Sequence, residues 1–173
     1  RNHLASIIIK KEEAQQQASR GHVMAHIVIV GSGIAGLFAA AKLADANHNV
    51  TVITKQRTKD SSTNWAQGGI AAILDKTNHD GMEAHVQDTL RSGDGLCNEE
   101  VVRSIILEAG ERINDLINIG VNFEQRNDGS FSLAKEGGHS ENRILHAKDA
   151  TGKEIERALT QYAERHANIT LLP

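Results

Sequence analysis

The sequence contains one cysteine, no long hydrophobic run and no excess of positive charge. The single Cys97 excludes an internal disulfide framework and fits a reducing compartment such as the cytoplasm. No stretch approaches the roughly 18 consecutive apolar residues of a membrane-spanning helix. A net charge of −3 gives no reason to expect a nucleic acid partner. Neither a membrane nor a nucleic acid is therefore expected as a partner.

The composition is that of one globular domain. The chain has 173 residues, of which 39% are hydrophobic and 24% charged, so it can bury a core. Residues 1–23 differ from the rest, because "LASIII" is too short for a secretory signal and "KKEEAQQQASR" is polar. We predict that residues 1–23 are an N-terminal extension outside the fold, and that residues 24–173 form the domain, with Met24 as a natural start.

A strand–helix–strand unit opens the domain. The β-branched run "HIVIV" (26–30) is typical of a buried parallel strand. It is followed by "GSGIAG" (31–36), a helical stretch (37–46) and a second strand, "NVTVIT" (49–54). This order predicts an α/β fold of the Rossmann type.

The remaining pattern mixes helices with short strands. We predict helices over 81–93, 98–120 and 153–166, a hairpin around 127–129 and a strand at 168–172. For the second helix, Asn98 is a suitable N-cap and Gly120 a suitable end. Its apolar residues lie mostly on one stripe, formed by Val101, Val102, Ile105, Ile106, Ile113, Leu116 and Ile117.

The glycine turn is the first motif with chemistry. In Gly31-x-Gly33-x-x-Gly36, the first glycine permits a tight turn and the second lets a pyrophosphate approach the backbone. Gly36 allows close helix–strand packing. Because the motif follows a strand and opens a helix, we favour a dinucleotide site over a turn that binds nothing.

The end of the second strand lacks the acidic residue that usually accepts from ribose hydroxyls. Thr54 and Lys55 stand there instead, and a lysine cannot accept a hydrogen bond. Lys55 suits a phosphate, so spacing alone leaves NADP and FAD as competing cofactors. A solvated lysine at the end of a strand is the simpler alternative.

The passage "SSTNWAQGGIAA" (61–72) begins near the carboxyl edge of the sheet, where ligands bind in open α/β folds. Its hydroxyl residues, Ser61, Ser62 and Thr63, are short donors suited to phosphate or ring heteroatoms. Gly68 and Gly69 leave room for a flat ring against bare backbone. On composition alone, a plain hydroxyl-rich loop remains the competing interpretation.

Several blocks together carry a family resemblance. "VIVGSGIAGL", "STNWAQGGIAA", "AHVQDTL", "EGGHSENRILHAKDATGKEI" and "NITLL" occur in this order, over about residues 24–173. The chain resembles the flavoprotein family of succinate dehydrogenase and fumarate reductase, in its branch that oxidises L-aspartate. The resemblance implies the N-terminal portion of an FAD-binding domain, which is an incomplete Rossmann-like fold.

The same resemblance implies a reaction and its partners. L-aspartate would be oxidised to iminoaspartate, which feeds quinolinate and NAD biosynthesis, with oxygen or fumarate as electron acceptor and quinolinate synthase as a candidate partner. FAD would be bound without a covalent bond, because Ser62 stands where covalent relatives carry a histidine. The family continues for several hundred residues with further catalytic groups, so we expect the chain alone to be inactive and to bind FAD weakly.

Individual site residues follow from the resemblance. Gly31, Ser32, Gly33, Ile34 and Ala35 would hold the pyrophosphate, and Lys55 would contact the flavin, which favours FAD over NADP. Glu136 would orient the substrate. The FAD would be lined by the loop residues Ser62, Thr63, Asn64, Trp65, Ala66, Gln67, Gly68 and Gly69.

Some assignments stay open at the level of sequence. Glu136 is either a ligand-side carboxylate or a surface residue paired with Lys135 or Arg143, and Arg143 is either a surface charge or a substrate-side cation. His139 and His146 have no spacing typical of a metal site. A fumarate reductase or succinate dehydrogenase flavoprotein, and a fragment without cofactor, are the alternative identities.

Overall fold

The computed structural model describes residues 23–55 and 61–173. The predicted extension therefore lies outside the described residues, except for Val23. The helices and strands follow one another in the order β1 (His26–Val30), α1 (Ile34–Asp45), β2 (Asn49–Ile53), a 3₁₀ helix (Ser62–Trp65), β3 (Ile70–Ala71), α2 (His79–Ser92), α3 (Glu99–Ile119), β4 (Leu133–Ala134), β5 (Ile144–Leu145), α4 (Thr151–Arg165) and β6 (Ile169–Leu172).

A three-stranded parallel sheet forms the centre of the fold. β2 lies in the middle, with β1 on one side and β6 on the other. His26 is in register with Asn49, and Val50 with Ile169. α1 links β1 to β2, as a parallel connection requires. The predicted strand–helix–strand unit and the α/β class are confirmed.

The two faces of this sheet differ in burial. Val50 and Val52 of β2 are buried against the helical layer, in one core with Leu37 of α1 and Leu159 of α4. The described residues leave the other face uncovered, and its exposed apolar side chains are Val28, Val30, Ile53 and Leu172. Parallel sheets are normally covered on both faces. The described residues therefore supply one of the two layers that such a sheet needs.

A second, smaller sheet was not predicted. β3, β5 and β4 pair antiparallel in the order β3-β5-β4, and each strand has two residues. Strands this short give no alternating pattern in the sequence. The small sheet matters because it joins the "AQGGIAA" loop to the segment that carries Glu136.

The ends of the helices follow their capping residues. The Asn98 side chain accepts from Val101 N, and Gly120 ends α3 in the left-handed region at φ 110°. The apolar stripe of α3 is buried only in part, because Val101 and Ile105 in its first turns are 52% and 64% exposed. The described residues place no partner over them, whereas Ile113 and Leu116 reach the main core.

The hairpin around 127–129 is confirmed as a tight turn. Gln125 and Phe131 form an antiparallel bridge, and Arg126 N donates to Ser130 O at 2.8 Å. Gly129 has a φ of 82°, which a residue with a side chain adopts only under strain. The arms of the hairpin pair through this bridge rather than as long strands.

Candidate functional site

The glycine turn between β1 and α1 has the geometry that its spacing predicts. Gly31 adopts a φ of 111°, and its N–H donates to Ile53 O at 2.8 Å. A methyl group on Gly36 would lie 1.9 Å from Gly31 O, so only glycine lets α1 pack this closely. A side chain on Gly31 would meet nothing within 4 Å, which shows that the turn is open on that side.

The N-terminus of α1 has room for an anion. Its N-cap, Gly33, provides no side-chain cap, although the Thr63 hydroxyl accepts from Ile34 N at 3.0 Å. Ser32 is buried and Ala35 is exposed on the first turn. Free N–H groups and the helix dipole favour negative charge at such an end. The helix end, which Gly33 does not cap with a side chain of its own, and the open glycine turn fit the pyrophosphate of a dinucleotide.

The end of β2 contacts this turn. The Ser32 hydroxyl donates to Thr54 Oγ1 at 2.9 Å, so Thr54 is held beside the glycine turn. Lys55 follows with an exposed side chain. The structure therefore brings Ser32, Thr54 and Lys55 to the same edge of the sheet, as the sequence predicts.

The loop from Ser61 to Gly69 lies against the same edge. Ser62–Trp65 form a 3₁₀ helix, and the Ser61 hydroxyl caps it by accepting from Asn64 N at 3.3 Å. A methyl group on Gly33 would lie 3.2 Å from Thr63 Oγ1, so this loop packs closely on the glycine turn. Ser62, Gln67 and Gly68 are exposed, and Trp65 is 76% exposed. The loop thus presents an accessible surface next to the N-terminus of α1.

The first turn of α4 supports this loop from behind, and sequence reasoning missed its role. Gly152 N donates to Ala66 O at 2.9 Å, and a methyl group on Gly152 would lie 1.9 Å from Thr63 O. The "DATG" block was the signal available in the sequence. A glycine in the first turn of a helix lowers the stability of that helix relative to alanine, so its presence indicates a close contact. Gly152 is required by a contact with a loop more than eighty residues earlier in the chain.

A buried carboxyl group on α4 also holds the loop. Glu156 is 1% exposed, and its Oε2 accepts from the Ser61 hydroxyl at 2.9 Å. Among the described residues, Glu156 Oε1 and the nearby Thr160 hydroxyl have no hydrogen-bonding partner. Burial raises the pKa of the Glu156 carboxyl, and the bond from Ser61 opposes that rise only in part.

We expect Glu156→Gln to be more stable than the wild type at neutral pH. A folded-state pKa above the unfolded value stabilises the fold at low pH, and this contribution is lost as the pH rises through the folded pKa. Glutamine keeps an acceptor for Ser61 and cannot ionise. The free energy of unfolding, measured by urea titration between pH 4 and 8, is expected to exceed that of the wild type by about 1 kcal/mol at pH 8 and to converge with it at pH 4.

The exposed Glu164 on the same helix supplies the matched control. Glu164→Gln is expected to stay within about 0.5 kcal/mol of the wild type across the same titration, because the Glu164 side chain is exposed. Equal stability of Glu156→Gln and wild type at every pH would show that burial of Glu156 imposes no ionisation cost.

Glu136 lies next to the glycine pair of the loop. A methyl group on Gly68 would be 3.7 Å from Glu136 Oε1, whereas one on Gly69 would be 2.3 Å from Leu145 O. The small sheet therefore clamps Gly69 and brings Glu136 against Gly68. Glu136 is exposed and pairs with neither Lys135 nor Arg143, so the surface ion pair weighed from the sequence is not formed.

Both interpretations of Arg143 from sequence are wrong. The side chain is 0% exposed, and its Nη1 donates to Asp88 Oδ2 on α2 at 2.8 Å. Asp88 is 3% exposed and also accepts from the Ser140 N–H and hydroxyl, at 2.6 and 2.7 Å. These bonds, with the Arg143 charge, hold the pKa of Asp88 well below its usual range. A partner 55 residues away cannot be read from local sequence patterns.

Two histidines border this ion pair. His85 is 7% exposed, and burial, followed by the charges of Arg143 and His139, lowers its pKa to about 4. The rings of His85 and His139 meet edge to face with centroids 5.8 Å apart. His146 Nδ1 lies 3.2 Å from Glu124 Oε2, away from the other two. Within residues 23–55 and 61–173, no group of three or more His, Cys, Asp or Glu is placed to hold a metal ion.

A separate cavity of about 580 Å³ lies along the side of α4. Glu156, Thr160 and Asn64 are among the residues that line it. Of the residues predicted to bind cofactor, Asn64 alone reaches it, so this cavity is distinct from the surface formed by the glycine turn and the loop. None of the described helices has the length and hydropathy needed to cross a bilayer.

Comparisons with known proteins agree with this geometry. The sequence model of the family described as "FAD binding domain" matches residues 26–173. An L-aspartate oxidase from Oryza sativa, named as chloroplastic, is 46% identical over 144 residues, which are 83% of this chain and 22% of that protein. An L-aspartate oxidase from Pseudomonas aeruginosa is 46% identical over 158 residues, which are 87% of this chain and 29% of that protein.

Solved structures give the same fold. An E. coli quinol fumarate reductase superposes with a TM-score of 0.76 at 32% identity, covering 86% of this chain and 26% of that chain. The Sdh1 complex of Mycobacterium smegmatis superposes with a TM-score of 0.77 at 30% identity, covering 87% and 28%. The chain thus spans about a quarter of the length of the proteins that it matches.

Proposed function

Because the chain belongs to the FAD binding domain family, we propose that it is the cofactor-binding part of an enzyme that oxidises L-aspartate to iminoaspartate. The observation that carries this proposal is the identity of 42–48% with L-aspartate oxidases of plants and bacteria across four-fifths or more of the chain. Identity with the fumarate reductase and Sdh1 structures is lower, at 30–32%.

The residues around the glycine turn would hold FAD. The pyrophosphate would lie on the N-terminus of α1 at Gly31, Ser32, Gly33, Ile34 and Ala35, where Gly33 provides no side-chain cap and the glycine turn is open. The flavin would lie along the exposed loop from Ser62 to Gly69, within reach of Lys55. FAD, when bound, supplies the two-electron oxidant, and the protein supplies orientation and exclusion of water.

Glu136 would orient the substrate. Its carboxylate is exposed beside Gly68, on the accessible surface formed by the loop. A carboxylate there can accept a hydrogen bond from the substrate's ammonium group and so fix the α-carbon relative to the loop. The two carboxylates of aspartate need cations, which the rest of a longer protein would provide.

The serine at position 62 favours an FAD that is bound without a covalent bond. A serine hydroxyl cannot form the histidyl–flavin bond that the family resemblance associates with this position. Acid precipitation of the purified full-length holoprotein is expected to leave all flavin in the supernatant, as measured by absorbance and fluorescence. Flavin that stays in the washed pellet would contradict a non-covalent site.

The wider context is part of the same proposal. Oxygen or fumarate would accept the electrons, iminoaspartate would pass towards quinolinate and NAD, and quinolinate synthase is a candidate partner. We place the enzyme in the cytoplasm, consistent with the single Cys97. The plant relatives are named as chloroplastic, so a plastid is the competing location.

Substrate turnover by the full-length protein tests the proposal. The purified holoprotein is expected to form hydrogen peroxide with L-aspartate under air, and to oxidise aspartate with fumarate when oxygen is removed. Succinate with an artificial acceptor serves as the comparison substrate. Turnover of succinate without turnover of aspartate would instead assign a succinate dehydrogenase or fumarate reductase.

A further inference from the structure

The loop that carries Glu136 is fixed at both ends. It runs from residue 135 to residue 143 between β4 and β5, and Arg143 N donates to Ala134 O at 3.1 Å across its base. Within the loop, His139 N donates to Glu136 O at 3.2 Å and Lys135 Nζ to Ser140 O at 3.0 Å. The backbone around Glu136 therefore has a defined shape.

The far side of this loop is attached to α2 through one carboxylate. Asp88 Oδ2 accepts three hydrogen bonds, from Ser140 N, Ser140 Oγ and Arg143 Nη1, all between 2.6 and 2.8 Å. Arg143 Nη2 also donates to Ser140 Oγ at 3.1 Å. Asp88, Ser140 and Arg143 form a closed triangle, which we call the Asp88 anchor.

The Glu136 carboxylate itself has no hydrogen-bonding partner among the described residues. Its position beside Gly68 is therefore set by the loop backbone. Glu136 stands four residues before Ser140 in the same loop. The loop backbone at Glu136 would therefore be free to shift if the attachment of Ser140 to α2 were lost.

A buried ion pair adds little net stability to a fold. The free energy needed to remove two charges from water is at best balanced by their mutual attraction, and well-packed apolar residues often stabilise a fold more. A charge-assisted triangle differs from apolar packing because it fixes direction as well as distance. The gain from this arrangement is a single geometry for the loop.

We propose that the Asp88 anchor is a positioning device, which holds the Glu136 carboxylate at the Gly68 face, where it can accept a hydrogen bond from the substrate's ammonium group. The proposal rests on the function proposed above and extends it to residues that touch neither substrate nor cofactor. Asp88, Ser140 and Arg143 act on the substrate through Glu136.

Ser140→Ala in the full-length holoprotein is the test variant, because it removes two bonds of the anchor and leaves the ion pair in place. We expect the KM for aspartate to rise about tenfold while kcat changes less than about twofold, since uniform binding is what is lost. The ratio of flavin to protein is expected to stay at the wild-type value. Ser140→Thr, which keeps a hydroxyl, is expected to restore a KM near that of the wild type.

Ser130→Ala is the matched control. Ser130 also donates its N–H and hydroxyl to one aspartate oxygen, Asp128 Oδ1, at 2.9 and 2.6 Å, and is likewise exposed. It directly follows the 127–129 turn and makes no bond to the Asp88 anchor. Its KM and kcat are expected to match those of the wild type.

A second measurement separates positioning from general damage. In a Glu136→Gln background, Ser140→Ala is expected to change the KM less than about twofold, because residues that act through one group are not additive. An undiminished effect of Ser140→Ala in that background, or equal KM values for Ser140→Ala and Ser130→Ala, would overturn the anchor. A wild-type protein that turns over succinate and not aspartate would overturn the proposed function and the anchor with it.

Discussion

Replacing Gly152 by alanine is expected to lower the free energy of unfolding of the full-length holoprotein by about 3 kcal/mol. The added methyl group would lie 1.9 Å from Thr63 O, 2.8 Å from Ala66 O and 2.9 Å from Ala66 Cβ. Two of these three atoms are backbone oxygens, which cannot move aside as the end of a side chain can. Alanine is otherwise the better helix former by about 0.5–1 kcal/mol, so the sign of the effect reports the clash.

Relief of this clash requires α4 to separate from the 3₁₀ helix. Separation breaks the bond from Gly152 N to Ala66 O and the bond from Ser61 to Glu156, which both hold the predicted flavin loop. We therefore expect Gly152→Ala to lose flavin on gel filtration as well as stability. Urea unfolding followed by circular dichroism measures the loss of stability, and flavin absorbance of the eluted protein measures retention of the cofactor.

Gly137→Ala is the control for this substitution. A methyl group on Gly137 would meet nothing within 4 Å, and its φ lies outside the left-handed region. Its free energy of unfolding is expected to stay within about 0.5 kcal/mol of the wild type. A Gly152→Ala protein as stable and as yellow as Gly137→Ala would show that α4 does not brace the loop.

Local patterns predicted the parts of this molecule that depend on neighbours in sequence. The β-branched run at 26–30, the glycine spacing that follows it and the cap at Asn98 each act within a few residues, so a short window contains the whole cause. The position of Lys55 at the end of β2 follows in the same way, because strand direction alone delivers it to the ligand-facing edge.

Contacts between residues that are far apart in the sequence could not be predicted from local patterns. Arg143 and Asp88 lie 55 residues apart, and no periodicity in either segment shows that an arginine after a glycine loop will be completely buried. The role of Gly152 likewise depends on a loop that precedes it by more than eighty residues. The exposure of Val101 and Ile105 could not be predicted either. An apolar stripe shows which face of a helix can be buried, but it does not show which turns of that face contact another element.

The second large effect concerns the charge of Arg143. Asp88→Leu removes the anion and leaves the guanidinium fully buried beside His85, which already has its pKa lowered to about 4 by burial and nearby charge. An uncompensated Arg143 charge is expected to cost about 3–5 kcal/mol of the free energy of unfolding. Urea titration of the full-length holoprotein at pH 7 measures this loss.

The double variant Asp88→Leu/Arg143→Met separates two quantities. One is the net contribution of the ion pair to stability, and the other is the stability lost when Arg143 is left buried without its partner. Apolar residues of similar size can replace a buried ion pair with little loss, so we expect the double variant to recover most of the stability that Asp88→Leu loses. The double variant removes the Arg143 charge, which lowers the pKa of His85, and the smaller opposing effect of Asp88, so the pKa of His85, followed by NMR, is expected to rise from about 4 without reaching 6.5, because burial remains the largest cause. Equal stability of the single and double variants would show that the Arg143 charge finds another partner.

A double variant that is stable but has a raised KM for aspartate would separate the two roles of the pair. Folding would then tolerate apolar packing at this position, whereas the position of Glu136 would require the directed bonds of Asp88.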